Sequence, residues 1–265
     1  MNLPNRHIQN LLDCLTRSRL SFALYRLPWT DECYFVLQQS GDVEQLADIR
    51  ELNKKKGFVM APFLQSDHHP LIVIRPDITA YDWDEISEAI SSLECADALL
   101  TCKNQTEKLS PFVSEETDKE RYTQAFERFI TPLQKKHFQK LVLSRSSTKH
   151  INDDFSPLAA FVRACNNYPR MMIYLCHTPV SGTWVGSTPE ILLSGHGKEW
   201  HTVALAGTMP MQNEVMPMDW DKKNQDEQGY VADYIRRIIK KFGNKMNEKG
   251  PYTARAGQLV HLKTD

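Results

Sequence analysis

The chain has 265 residues, with 32 Lys and Arg against 33 Asp and Glu for a formal net charge of -1, and it is 41% hydrophobic. That balance suits a soluble globular protein of one large or two small domains. It lacks the cationic excess that a phosphate backbone selects, which argues against a nucleic-acid partner. Its longest apolar stretches, such as Pro70-Leu-Ile-Val-Ile74, are too short to span a bilayer. The start, Met1 to His7, carries no secretory pattern, so a cytoplasmic protein without membrane association is expected.

In chain order, helix is predicted for Ile8 to Leu15. Short β-branched or aromatic strands follow at 22–27, 33–37, 57–63 and 71–74, then a helix over Asp84 to Leu93. Residues 101–116 are polar and contain Pro111, which marks a linker or subdomain boundary. Thr117-Asp-Lys-Glu120 reads as a capping box. Tyr122, Phe126, Phe129, Ile130 and Leu133 then recur at helical spacing. Lys140-Leu-Val-Leu-Ser-Arg145 reads as a strand. Ser156-Pro157 is an N-cap with proline at the first helical position.

Strands are predicted at 171–176 and 183–186, and a hairpin pairs 191–194 with 200–205 around Gly195-His-Gly197. A long helix runs from about Asn224 to Phe242, and a last strand from about Tyr252 to the end. Irregular alternation with short turns predicts an α+β fold with largely antiparallel sheets flanked by helices. The expected division is a variable part over 1–110 and a catalytic region over 111–265.

Negative findings narrow the chemistry. Six cysteines form no C-x-x-C pair and are expected to be reduced thiols. Only 11 glycines occur, no phosphate-binding loop is present, and Gly195-His-Gly197 lacks the third glycine of a dinucleotide fingerprint.

Three polar residues stand at the edges of apolar runs. Lys140 opens one, either as a lysine that snorkels to solvent or as an amine whose pKa falls among apolar neighbours until it can act as a base. Glu190 follows Pro189 and precedes Ile191-Leu-Leu193. It is either a solvated turn residue or, if buried, an acid able to donate near neutral pH. Glu227 lies four residues before Val231, on a line continued by Ile235, Ile238 and Phe242. An inward carboxylate there needs a buried Lys or Arg, a proton or a hard cation such as Mg²⁺.

Taken together, these segments resemble the chorismate-utilising enzyme family, and within it the isochorismate synthases. The matching stretches are Lys140 to Arg145, Gly186-Ser-Thr-Pro-Glu-Ile-Leu-Leu193, Leu205-Ala-Gly-Thr208, Lys223-Asn-Gln-Asp-Glu-Gln228 and Arg255 to Thr264. The resemblance covers Thr117 to Asp265. It implies a Mg²⁺-dependent isomerisation of chorismate to isochorismate, in which water adds at C2, the C4 hydroxyl leaves and the double bonds shift.

Lys140 matches the family's base, Glu190 its acid and Glu227 a Mg²⁺ ligand. Ala206, Gly207 and His261 match substrate-binding positions. Anthranilate-forming relatives usually carry Gln where Lys140 stands, and aminodeoxychorismate-forming ones a nucleophilic Lys where Ala206 stands, so water is the implied nucleophile. The product would feed menaquinone or siderophore synthesis. Gln228 departs from a family position that is often His. Family members also continue past Thr264 through further metal-site glutamates, so a C-terminally truncated chain is expected. Salicylate synthase, or a non-catalytic fragment, remains the alternative.

Overall fold

The computed structural model describes residues 1–39, 41–93, 115–152, 154–211, 215–243 and 245–265. The expected boundary near 110, and most of the polar stretch before it, lie outside them. Along the chain run α1 (Arg6–Leu15), β1 (Ser21–Arg26), β2 (Tyr34–Gln38), β3 (Glu44–Leu46), a 3-10 turn at Ile49–Leu52 and β4 (Phe58–Met60). Then come β5 (Leu71–Ile74), β6 (Ile78–Tyr81), α2 (Asp82–Ser91), α3 (Glu115–Gln134) and α4 (Pro157–Asn167). The remainder is β7 (Met172–Thr178), β8 (Gly182–Thr188), β9 (Ser194–His196), β10 (Glu199–His201), β11 (Ala204–Pro210), α5 (Lys222–Ile239), β12 (Tyr252–Ala256) and β13 (Leu259–Thr264). Every strand pairing is antiparallel among the described residues, and the class is α+β.

Two compact units interleave along the chain: Met1–Gln105 with Ser156–Pro189, and Thr106–Phe155 with Glu190–Asp265. In the first, five strands pair in the order β6-β2-β1-β7-β8 and three in the order β3-β5-β4. Alternation along β1 divides the burial. Phe22 and Leu24 join the helix-side core, while Ala23 packs with Ile72 and Ile74 of the smaller sheet. The helix side is built from residues one turn apart: Ile8, Leu11, Leu12 and Leu15 of α1, Ile86 and Ile90 of α2, and Leu158, Phe161, Val162 and Cys165 of α4. Asn5 caps α1 by accepting from the Ile8 amide at 3.1 Å, and Ser156 caps α4 by accepting from the Ala159 amide at 3.0 Å.

Buried Arg26 ties β1 to the end of α4. Its guanidinium donates to the carbonyls of Cys165, Tyr168 and Met171 at 3.0, 2.7 and 2.7 Å, satisfying acceptors that a helix end leaves open. On the other face of the larger sheet, one register row crosses all five strands: Tyr81, Tyr34, Tyr25, Tyr174 and Gly186. Tyr25 and Tyr34 stack at 5.3 Å, and Tyr34 meets Tyr81 edge-on at 4.9 Å. The row ends at glycine because the Tyr174 ring lies over the β8 backbone. A Cβ on Gly186 would stand 2.4 Å from Cζ and Oη of that ring.

In the second unit, β9 and β10 form a hairpin, β11, β13 and β12 form a sheet in that order, and α5 packs on β11 and β13. Several expectations are corrected here. Residues 140–145 are not a strand: Leu141-Val-Leu143 has no neighbouring strand to pair with among the described residues, and Val142 is 75% exposed. The segment is tied instead to α3 by Arg145, which lies 3.7 Å from Asp118 and over the Tyr122 ring. Thr117 is no N-cap, since α3 already includes Glu115. The hairpin is shorter than expected, turning at Gly197 and Lys198, and 204–210 leaves it for another sheet. The last strand is two strands joined at Gly257.

Two outcomes follow. Burial pushes the Cys33 and Cys176 thiols up to about 12 and the Cys165 thiol up to about 11. At pH 8 these are thiolate in roughly one molecule per thousand or fewer. Iodoacetamide should therefore label all three only after unfolding, as read by mass spectrometry of native and urea-treated protein. Gly186→Ala should lower stability by roughly 1–3 kcal/mol through overpacking. Adding Tyr174→Ala should recover most of that loss relative to the Tyr174→Ala chain alone, measured by urea unfolding.

Candidate functional site

The six candidate residues all fall in the second unit, where α5 and the β11–β13 pair place Glu227, Ala206, Gly207 and His261. Asp221 caps α5, accepting from the Asn224 amide at 2.8 Å. That bond holds the Asp221 carboxyl below its usual range. One turn in, Glu227 accepts from Lys140 Nζ at 2.8 Å through Oε1, and Lys223 Nζ stands 3.8 Å from its Oε2. Lys140 and Glu227 are each about a third exposed, at 30% and 31% of their side chains. Of the partners open to Glu227, the chain itself supplies a lysine. Lys140 is neither in a strand nor sunk among apolar side chains.

The inward residue of α5 is Gln228, 2% exposed, and not Glu227. Both precede Val231 at helical spacing, four residues for Glu227 and three for Gln228, so the 3.6-residue period alone does not separate them. Gln228 Nε2 donates to the Ala204 carbonyl and to Thr264 Oγ1, each at 3.1 Å, bridging α5 to β11 and β13. Its Oε1 is buried with no hydrogen-bond partner among the described residues.

Strand β11 carries a bulge between Ala206 and Thr208. Gly207 takes φ 66°, where a Cβ is strained, and a Cβ there would also stand 3.3 Å from Asn224 of α5. Ala206 is buried at 6% exposure and offers no nucleophile. His261 sits opposite Thr208, with Nδ1 3.1 Å from the Gly207 carbonyl and 3.1 Å from Thr208 Oγ1. A carbonyl only accepts, so the bond to Gly207 puts the proton of a neutral imidazole on Nδ1 and leaves the lone pair on Nε2. Glu190 lies in the exposed loop between β8 and β9, where the chain passes from one unit to the other. The next residue is anchored, Ile191 accepting from the Val203 amide at 3.2 Å.

Two direct contacts thus organise the candidates: Lys140 with Glu227, and His261 with Gly207. An open trough of about 580 Å³ beside the start of α5 is lined by Trp220, Asp226, Pro251 and Leu262 among others, and by none of the candidates. Among the described residues no three His, Cys, Asp or Glu come together. Glu227 is a single carboxylate already faced by two ammonium groups. These donors do not by themselves make a magnesium site, because a dication would have to displace Lys140 and draw its remaining ligands from elsewhere. Motif reading treated Gln228 only as a departure from the family and gave Asn224 no role. The signal for Gln228 was its i, i+3 relation to Val231.

Comparison with known proteins gives these positions a context. The profile described as "chorismate binding enzyme" matches residues 50–265. No curated protein sequence matches the chain. Among solved structures, the chain is similar to a protein assigned as the 2,3-dihydroxybenzoate-specific isochorismate synthase DhbC of Bacillus anthracis, with a TM-score of 0.62 and 16% identity over 97% of this chain and 70% of that one. It is also similar to MenF, the menaquinone-specific isochorismate synthase of Escherichia coli, with a TM-score of 0.54 and 15% identity over 99% of this chain and 67% of that one. No helix among the described residues is long and apolar enough to cross a membrane. With the profile spanning most of its length and these folds beside it, the chain belongs to the chorismate binding enzyme family.

Proposed function

We propose that the protein is an isochorismate synthase, converting chorismate to isochorismate. The observation that carries this reading is the pairing of a lysine at 140 with an alanine at 206. Lys140 is an amine able to serve as base, held at the site by Glu227. Ala206 supplies no side-chain nucleophile, so the incoming group must come from solvent. Water would add at C2, its proton passing to Lys140, while Glu190 protonates the departing C4 hydroxyl and the ring double bonds shift between those carbons. Lys140 must first leave Glu227 and release a proton, since an ammonium cannot accept one, and Glu190 must first take one up, since a carboxylate cannot donate one. His261, Ala206 and Gly207 would line the substrate. The solved isochorismate synthase folds support the same reading.

Magnesium dependence comes with the resemblance. A second reading has its own support. The 2.8 Å bond between Lys140 and Glu227 occupies the amine that the first reading needs free, which favours a non-catalytic form of the fold.

Incubation with chorismate and Mg²⁺, followed by chromatography, tests these readings. Isochorismate without anthranilate or salicylate is the expected product. Lys140→Ala and Glu190→Gln should each lower kcat by about a hundredfold or more. Salicylate with pyruvate would identify a salicylate synthase, and saturable chorismate binding without product would favour the second reading. A parallel run in EDTA reports on metal dependence.

A further inference from the structure

We infer that Gln228 is the positioning residue that sets Glu227, and through it Lys140, against the bulged strand β11. The inference rests on the proposed function for its catalytic meaning and on geometry for its mechanical one. Helix α5 meets β11 at two points one turn apart. At the first, Asn224 packs over Gly207 so closely that a Cβ there would stand only 3.3 Å from it. At the second, Gln228 Nε2 donates to the Ala204 carbonyl. Residues 224 and 228 share a helix face, and 207 and 204 lie along one strand, so the two contacts fix both the slide and the roll of the helix.

Glu227 stands between these anchors and is turned by about 100° from Gln228 around the helix axis. Its carboxylate therefore emerges beside the contact line, where Lys140 meets it. The second bond of Gln228, to Thr264 Oγ1, extends the same constraint to β13, the strand that carries His261.

The orientation of the amide follows from its partners. The Ala204 carbonyl only accepts, so the nitrogen must face it, and Oε1 is left as a buried acceptor without a partner among the described residues. Without the amide the Ala204 carbonyl and the Thr264 hydroxyl would each lose a donor, which outweighs the one acceptor left open on the same side chain. Retaining the amide is explained by the direction its two N–H groups impose.

The test compares Gln228→Met, which keeps the shape and removes the amide, with Thr264→Val, which removes one acceptor, and with Glu227→Gln, which removes the carboxylate. The first readout is acetylation of Lys140 by acetic anhydride, normalised to exposed Lys198 in the same protein and quantified by mass spectrometry. Loss of the carboxylate should raise Lys140 labelling by about two- to fivefold, the range an ion pair of this exposure allows. Gln228→Met should move towards that value, and Thr264→Val should move in the same direction by less. The second readout is turnover of chorismate, where Gln228→Met should lower kcat by about ten- to a hundredfold with a smaller change in KM.

If Gln228→Met fails to fold, Thr264→Val carries the comparison alone. Lys140 labelling unchanged in the folded variants, while Glu227→Gln raises it, would overturn the positioning role. Labelling that responds as expected in a protein inactive on chorismate would sink the proposed function and leave the positioning role standing.

Discussion

Helix α5 rests on β11 through a glycine and a glutamine, and the site takes its shape from that seat. Gly207 adopts a left-handed conformation that brings the strand backbone up to Asn224, and the bulge it creates turns its carbonyl towards His261. A turn further along, Gln228 holds the helix to both strands at once. The carboxylate of Glu227 and the imidazole of His261 come from elements far apart in sequence, yet their placement is set by the same few contacts. In a fold where Ala204 and Ala206 present only methyl groups to the helix, small side chains are what permit so close an approach.

Electrostatically the site is cation-rich around one acid. Lys140 and Lys223 both face Glu227, one at hydrogen-bond distance and one more loosely. Chorismate carries two carboxylates, so such a region would favour an anionic ring as well as satisfy its own acid. A ligand carboxylate approaching Lys140 would compete with Glu227 for the same ammonium. Partial exposure keeps that exchange inexpensive, because water can solvate each group while the partners change.

Much of the fold was legible in the residues. The i, i+3, i+4 apolar positions of α1, the Ser156-Pro157 start of α4 and the apolar run of β5 were read correctly because local pattern and tertiary role agree there. Strand β3 was missed because its three residues are too few to show a period, and β6 because it runs straight into α2. Leu141-Val-Leu143 looked like a strand on propensity, but a strand exists only with a partner, and pairing is a property of the whole chain. At the site, residue types pointed to Lys140 and Glu227 and the family resemblance to Gly207 and His261, while the inward position of Gln228 depended on one residue of helical phase. Motif reading also placed Glu190 without saying whether it is covered, and it lies on an exposed loop.

The interleaved path of the backbone bears on how the molecule is made. Phe22 of the first unit pairs with His177, so the five-stranded sheet cannot close on the ribosome until β7 has emerged. By then the α3 segment of the other unit has already been synthesised. Such non-local closure slows folding and leaves apolar strands uncovered in the meantime. It also means that no single break in the polypeptide separates the two halves, since a fragment that keeps one of them whole carries a stretch of the other with it.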